Sequence, residues 1–226
     1  MIKLTPSLCR ILPFAIYIGF LVVGSALKFF NLQNLPLLES WLYPAKILII
    51  MVSLIWLWRN FIELTNSFRL TLNDFGNGIF VGIIVFVVWI NLDKSWATFG
   101  TSAGYNPIDP ATHQMNWALA TIRIFGASIV VPLMEELFWR SFFMRWISSH
   151  KFLELDPGKV GLWAFSVTAV MFASEHNLFV AGLIAGVAYN WLYIRSRNLW
   201  VPIMAHSVTN SLLGLWVLTT HNWQFW

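Results

Sequence analysis

The chain has 226 residues, of which 58% are hydrophobic, 17% aromatic and only 11% charged, with a mean hydropathy of +0.67. A soluble domain carries about a quarter charged residues, so this composition excludes a water-soluble globule and a disordered chain, and fits one solvated largely by lipid. The formal charge of +4 is too small and scattered for a nucleic-acid surface, and one cysteine, Cys9, excludes an intrachain disulfide or a cysteine-based zinc site.

A membrane-crossing helix needs about 20 mostly apolar residues. Seven stretches approach this: 11–30, 41–58, 76–92, 117–134, 162–174, 178–194 and 199–218. The expected fold is all-α: a polytopic membrane bundle of 7–8 transmembrane helices forming a single integral-membrane domain over 1–226. The first apolar run follows Lys3 and Arg10 as in a signal peptide, but it is long and more spans follow, so it reads as a retained span. Lys and Arg counts set orientation. Lys3, Arg10, Arg59, Arg69, Arg140, Arg145, Lys151, Lys159, Arg195 and Arg197 fall on one side, against Lys28, Lys46, Lys94 and, near a span edge, Arg123. That bias predicts a cytoplasmic N-terminus. The Gly78–Gly82 and Gly182–Gly186 pairs read as close helix packing.

Charges inside a membrane cost about 2.5–3.5 kcal/mol each on insertion scales and tend to be functional. The fourth span runs into Glu135-Glu136-Leu137-Phe138-Trp139-Arg140. Glu136 and Arg140 share one helix face and can neutralise each other. Glu135 points about 100° away, so it can face a cavity, where it would suit general base work. Pro132 loosens the turn before them. The plain alternative is a helix end at the interface with a simple ion pair.

Phe172 and His176 sit four apart where the fifth span ends, in Phe172-Ala173-Ser174-Glu175-His176. Histidine suits proton transfer and metal ligation, while a polar turn between spans is the plain reading. His206 and Asn210 share a face inside the last span. A lone His there is often only hydrogen-bonded to a neighbouring helix, but the pair points to a site. Asn190 reads as a packing residue with a hydrogen bond, and His113, His150 and His221 as ordinary surface.

Glu-Glu-x-x-x-Arg, Phe-x-x-x-His and His-x-x-x-Asn, in this order on successive spans, resemble the CPBP family, the CAAX-type prenyl endopeptidases and bacteriocin-processing proteins also called Abi. The motif-bearing core covers about 117–218. Phe138-Trp139-Arg140-Ser141, the stretch 163–176 and Tyr189-Asn190 look like a bacterial branch associated with exosortase and exopolysaccharide systems. The resemblance implies an intramembrane endopeptidase of the bacterial inner membrane, acting on a membrane-associated protein or peptide. Its partners would be the lipid bilayer and the exosortase or exopolysaccharide machinery. Glu135 would be the base that activates water, and His176 its assistant. His206 and Asn210 would stabilise the oxyanion, with Glu136, Arg140 and Phe172 in support. The family's other reading is a zinc enzyme in which Glu135, His176 and His206 ligate the metal. The chain has no His-Glu-x-x-His helix, and Asn210 suits an oxyanion better than zinc, so no metal is assigned. A non-catalytic membrane scaffold or immunity factor and a proton-coupled transporter are the competing functions.

A depth conflict accompanies this reading. In a plain seven-span layout Glu135 lies near the cytoplasmic face and His176 near the outer one, because 159–176 spans about 25 Å of helix. Catalytic partners must come within hydrogen-bond reach, directly or through one water. The motifs therefore predict that the fourth span extends through Arg140 and that the fifth and sixth are short, tilted or broken near His176.

Overall fold

The computed structural model describes residues 4–30, 36–65, 70–100, 104–109 and 112–226. Lys3 and Arg69, used in the orientation argument, lie outside them. The described residues form helices α1 (Pro6–Phe29), α2 (Pro36–Leu57), α3 (Ile62–Thr65) and α4 (Leu72–Asn91). Then come α5 (Trp117–Ser148), α6 (Leu162–Ala173), α7 (Phe179–Ser196) and α8 (Trp200–Thr220). Among the described residues there is no β-strand. Five helices (α1, α2, α4, α5 and α8) are long and apolar enough to cross a membrane, and α6 is a shorter apolar helix of 12 residues. The protein is a multi-pass, all-helical membrane bundle. The exposed apolar side chains on these helices, such as Val22, Ile55, Phe80 and Leu215, are what a lipid solvent requires.

The fourth span is longer than the apolar stretch 117–134. α5 continues without a break for 32 residues, so Glu135 and Arg140 lie inside a helix. Two widened turns, Gly126–Val130 and Leu137–Met144, have the wider, five-residue hydrogen-bond pattern of a π-helix. The first directly precedes Pro132, which has no N–H to give the carbonyl four residues back. The Val131 N–H closes the wide turn on the Gly126 carbonyl. Such turns are frequent at functional sites.

α6 is short, at about 18 Å for its 12 residues. The turn bearing His176 therefore stops well short of a full crossing and meets the middle of α5. The long connection after α4 clamps this turn, with Phe99 N–H donating to the Asn177 carbonyl at 2.7 Å and Val180 N–H to the Ala97 carbonyl at 3.2 Å.

Glycines set the helix contacts. A Cβ at Gly82 would meet the Ala205 carbonyl oxygen at 2.5 Å, and one at Gly186 would meet the Ala169 Cα at 3.0 Å. These two contacts bring α4 against α8 and α6 against α7. At one end of the bundle Arg10 is fully buried and holds Glu63 of α3 through Nε at 2.7 Å, while the Ser141 hydroxyl of α5 donates to the same carboxylate.

Two cations in the orientation count are not loop residues. Lys46 lies within α2 with 6% of its surface exposed. Arg123 lies two turns into α5 and lines an internal cavity.

Candidate active site

A cavity of about 160 Å³ opens between α1, α2, α4, α5, α6, α7 and α8, lined among others by Glu135, His176, His206 and Asn210. Four residues from three separate motifs thus ring one space. Phe172 also lines it.

Glu136 is the centre of the buried polar network. Its Oε1 accepts from Arg140 Nη1 at 3.0 Å and faces His206 Nδ1 at 2.9 Å. An ionised carboxylate only accepts, so it directs the Nδ1 proton of His206 toward itself and leaves Nε2 facing Glu135. The pairing with Arg140 follows the sequence expectation. The second bond, which orients His206, has no signal in the spacing, because the partners are 70 residues apart. Arg140 is fully buried. Its Nε donates to Asn190 Oδ1 at 3.0 Å, and its guanidinium lies 4.3 Å from the Phe172 ring centre. Asn190 passes the restraint on, donating to the Phe165 carbonyl at 2.9 Å.

Glu135, unlike Glu136, lines the cavity. It is 4% exposed, and its Oε2, like Glu136 Oε2, has no hydrogen-bond partner. Glu135 Oε2 stands 3.9 Å from His206 Nε2. That gap is too long for a direct hydrogen bond and suits a bridging water or substrate oxygen. A buried, unpaired carboxylate oxygen is costly, and its place at a cavity wall gives it a reactive partner to meet.

The last helix and the His176 turn complete the wall. Asn210 Nδ2 donates to the Ala127 carbonyl at 2.8 Å, a carbonyl within the first wide turn of α5. Its second N–H remains for a ligand. His176 Nδ1 faces the Phe172 carbonyl at 2.9 Å, which leaves Nε2 available. Tyr189, which the sequence reading used only for its branch resemblance, stacks on His206 with ring centres 5.0 Å apart and donates to Thr209 Oγ1 at 2.8 Å. Thr209 in turn donates to the Gly82 carbonyl at 2.8 Å. Trp139 Nε1 donates to Glu175 at 3.1 Å, tying α5 to the turn that carries His176. His113, His150 and His221 are exposed and stand apart from the cavity lining.

For a metal, the test is whether three donors converge. Among the described residues no three His, Cys, Asp or Glu side chains form a metal-holding group. His206 Nδ1 bonds Glu136 and His176 Nδ1 a backbone carbonyl, which leaves each Nε2 outside these bonds, as in a metal-ligating histidine, so it is the missing third donor that counts against a metal here.

Residues 117–212 match the model of a family described as type II CAAX prenyl endopeptidase Rce1-like. The match covers less than half of the chain and spans α5, α6, α7 and most of α8. No curated protein matches the chain, and neither does any solved structure. Every residue of the Glu135–Glu136–Arg140, Phe172–His176 and His206–Asn210 sets falls in the matched segment, which is similar to the domain of a membrane protease family.

Proposed function

We propose that the protein is an intramembrane endopeptidase that hydrolyses a peptide bond of a membrane-associated protein with water activated by Glu135. The observation that carries the reading is the unpartnered Glu135 Oε2, 3.9 Å from His206 Nε2 at the wall of a buried cavity. The match to a CAAX-type endopeptidase family supports it.

Glu135 takes a proton from water, and the hydroxide forms a bond to the scissile carbonyl carbon. The carbonyl π-electrons move onto oxygen. His206 and the free N–H of Asn210 hold that oxyanion, a contribution that is often the largest single catalytic term. The C–N bond then breaks as the proton held by Glu135 passes to the leaving amine, with His176 as carrier. Glu136 and Arg140 hold His206 in place. Water activation is preferred to zinc because the donors do not converge. The finer placement, a bacterial inner-membrane enzyme of the exosortase-associated branch with its N-terminus in the cytoplasm, rests on the sequence resemblance and the charge bias.

The test is cleavage of a library of membrane-tethered peptides by the purified protein in detergent, with elemental analysis for zinc. Glu135→Gln lowers turnover by about 10³-fold, as loss of a general base does. His206→Ala lowers it by about 10²–10³-fold, as loss of an oxyanion donor does. Cleavage that survives Glu135→Gln defeats the assignment, and stoichiometric zinc lost in the variants moves the mechanism to a metal.

A further inference from the structure

The cavity holds charge that the hydrolytic mechanism does not use. Arg123 lines it on the same helix as Glu135. Its guanidinium sits 4.4 Å from the Tyr43 ring centre and 5.4 Å from that of Tyr105. Arg123 Nε is buried with no hydrogen-bond partner, and so is the Tyr105 hydroxyl. Lys46 stands behind the aromatic wall, 4.2 Å from the Tyr17 ring centre and 5.0 Å from that of Tyr43. Tyr17 and Tyr43 both line the cavity. Among the described residues, neither cation has a carboxylate partner within ion-pair distance.

Two cations at membrane depth without an anion are costly, and the π-faces around them offset only a part of that cost. The orphaned donors also point to a ligand, since buried donors in native structures are satisfied by something. The planar guanidinium matches a carboxylate in shape and charge.

We propose that Arg123, backed by Lys46 and joined by the Tyr105 hydroxyl, forms an anion subsite of this cavity that binds a carboxylate of the peptide substrate. The proposal rests on the endopeptidase reading for the word substrate. Twelve residues of α5 separate Arg123 from Glu135, about 18 Å of helix. An extended peptide advances about 3.3–3.6 Å per residue, so it covers that distance in about five residues, which sets the spacing of the carboxylate from the scissile bond. Its source is a free C-terminus or an acidic side chain at that distance. Lys46, Tyr17, Tyr43 and Tyr105 lie outside the matched segment 117–212, so the subsite draws on the part of the chain that the family likeness does not cover.

The experiment uses three N-palmitoylated apolar hexapeptides: a free acid, the corresponding amide, and an amide with aspartate as its last residue. Binding to Glu135→Gln protein is read by tryptophan fluorescence, and cleavage by wild-type protein is followed in parallel. The acid binds at least tenfold more tightly than the plain amide. Arg123→Gln brings the acid down to the amide's affinity, Arg123→Lys keeps part of the preference, and Lys46→Met weakens the acid by a smaller factor. In turnover, Arg123→Gln raises KM for the acid and leaves kcat in place, as loss of binding remote from the reacting bond does. Tight binding of the aspartyl amide assigns the subsite to an acidic side chain, and its absence assigns it to a C-terminus. Equal binding of acid and amide, equal losses for all probes in Arg123→Gln, or no binding of any probe overturns the subsite. Acid-selective binding without wild-type cleavage leaves the subsite standing and defeats the protease reading, whereas cleavage without acid selectivity does the reverse.

Discussion

Glu136 shows how one side chain can matter without touching the reacting atoms. Its Oε1 meets both Arg140 and His206, so it fixes the face that His206 presents to Glu135. Glu136→Gln keeps the shape but removes the charge that orders both partners. A displacement of about 1 Å at a catalytic group costs about a hundredfold in rate, and that loss is expected in kcat for this variant. Glu136→Asp, which keeps the charge on a shorter arm, recovers part of it. Equal kcat in wild type and Glu136→Gln would remove Glu136 from the positioning role. The pairing of Glu136 with Arg140 was legible from their spacing on one helix face. The bond to His206 was not, because nothing local to either residue encodes a contact between α5 and α8.

Elements reach the site through packing. Gly82 of α4 touches no proposed catalytic residue, yet its carbonyl accepts from Thr209, which accepts from Tyr189, which stacks on His206. A side chain at Gly82 would drive into the Ala205 carbonyl oxygen at 2.5 Å and the Val208 Cβ at 2.8 Å. Backbone cannot give way as a flexible side chain can, so Gly82→Val costs about 1–3 kcal/mol, typical of overpacking. It also lowers activity by spreading α4 from α8. Thermal unfolding in detergent, together with cleavage, checks both. Gly82→Ser is expected to lie between the two.

A second element-scale device is the contact of α1, α3 and α5 at Arg10, Glu63 and Ser141. Burial alone would raise the Glu63 carboxyl. The hydrogen bonds and charge of Arg10, with the Ser141 hydrogen bond, outweigh it and hold the carboxyl below its usual value of 4.5. A carboxyl depressed in the folded state adds stability above its unfolded value, and that stability is lost as pH falls through the folded value. The contribution is therefore complete at neutral pH and fades below about pH 4.5. Glu63→Gln leaves Arg10 buried without its partner and costs about 3 kcal/mol at pH 7. The gap from wild type narrows as the pH drops below the carboxylate range. Melting curves of both proteins from pH 3 to 7 test this, and a gap independent of pH would rule out the ionic origin.

For the whole molecule, the charge bias predicts that the 149–161 connection faces the cytoplasm and the 92–116 connection the opposite side. The described part of each offers an exposed position, Lys151 in the first and Trp96 in the second. The lone native thiol, Cys9, is buried and gives a quiet background. An impermeant maleimide should label Trp96→Cys in intact spheroplasts and Lys151→Cys only after permeabilisation, and the opposite pattern inverts the topology. Composition and apolar run lengths alone determined that this is a multi-pass helical bundle, because lipid forces every span to be both apolar and internally hydrogen-bonded. The spacing of Glu135, Glu136 and Arg140, of Phe172 and His176, and of His206 and Asn210 pointed to five residues that line the cavity, Glu135, Phe172, His176, His206 and Asn210, and to the Glu136–Arg140 pair beside them, because positions four apart on a helix share a face. The conflict in depth between Glu135 and His176 could also be stated from the sequence, but only the tertiary structure resolved it. α5 runs on through two widened turns for 32 residues, well past its apolar stretch 117–134, whereas α6 stops after 12 residues, where the apolar stretch 162–174 ends. The surroundings of Lys46 and Arg123 were likewise invisible. A cation at a span edge and one aimed into a cavity have the same local sequence, and only the rings of Tyr17, Tyr43 and Tyr105, brought from distant parts of the chain, decide which it is.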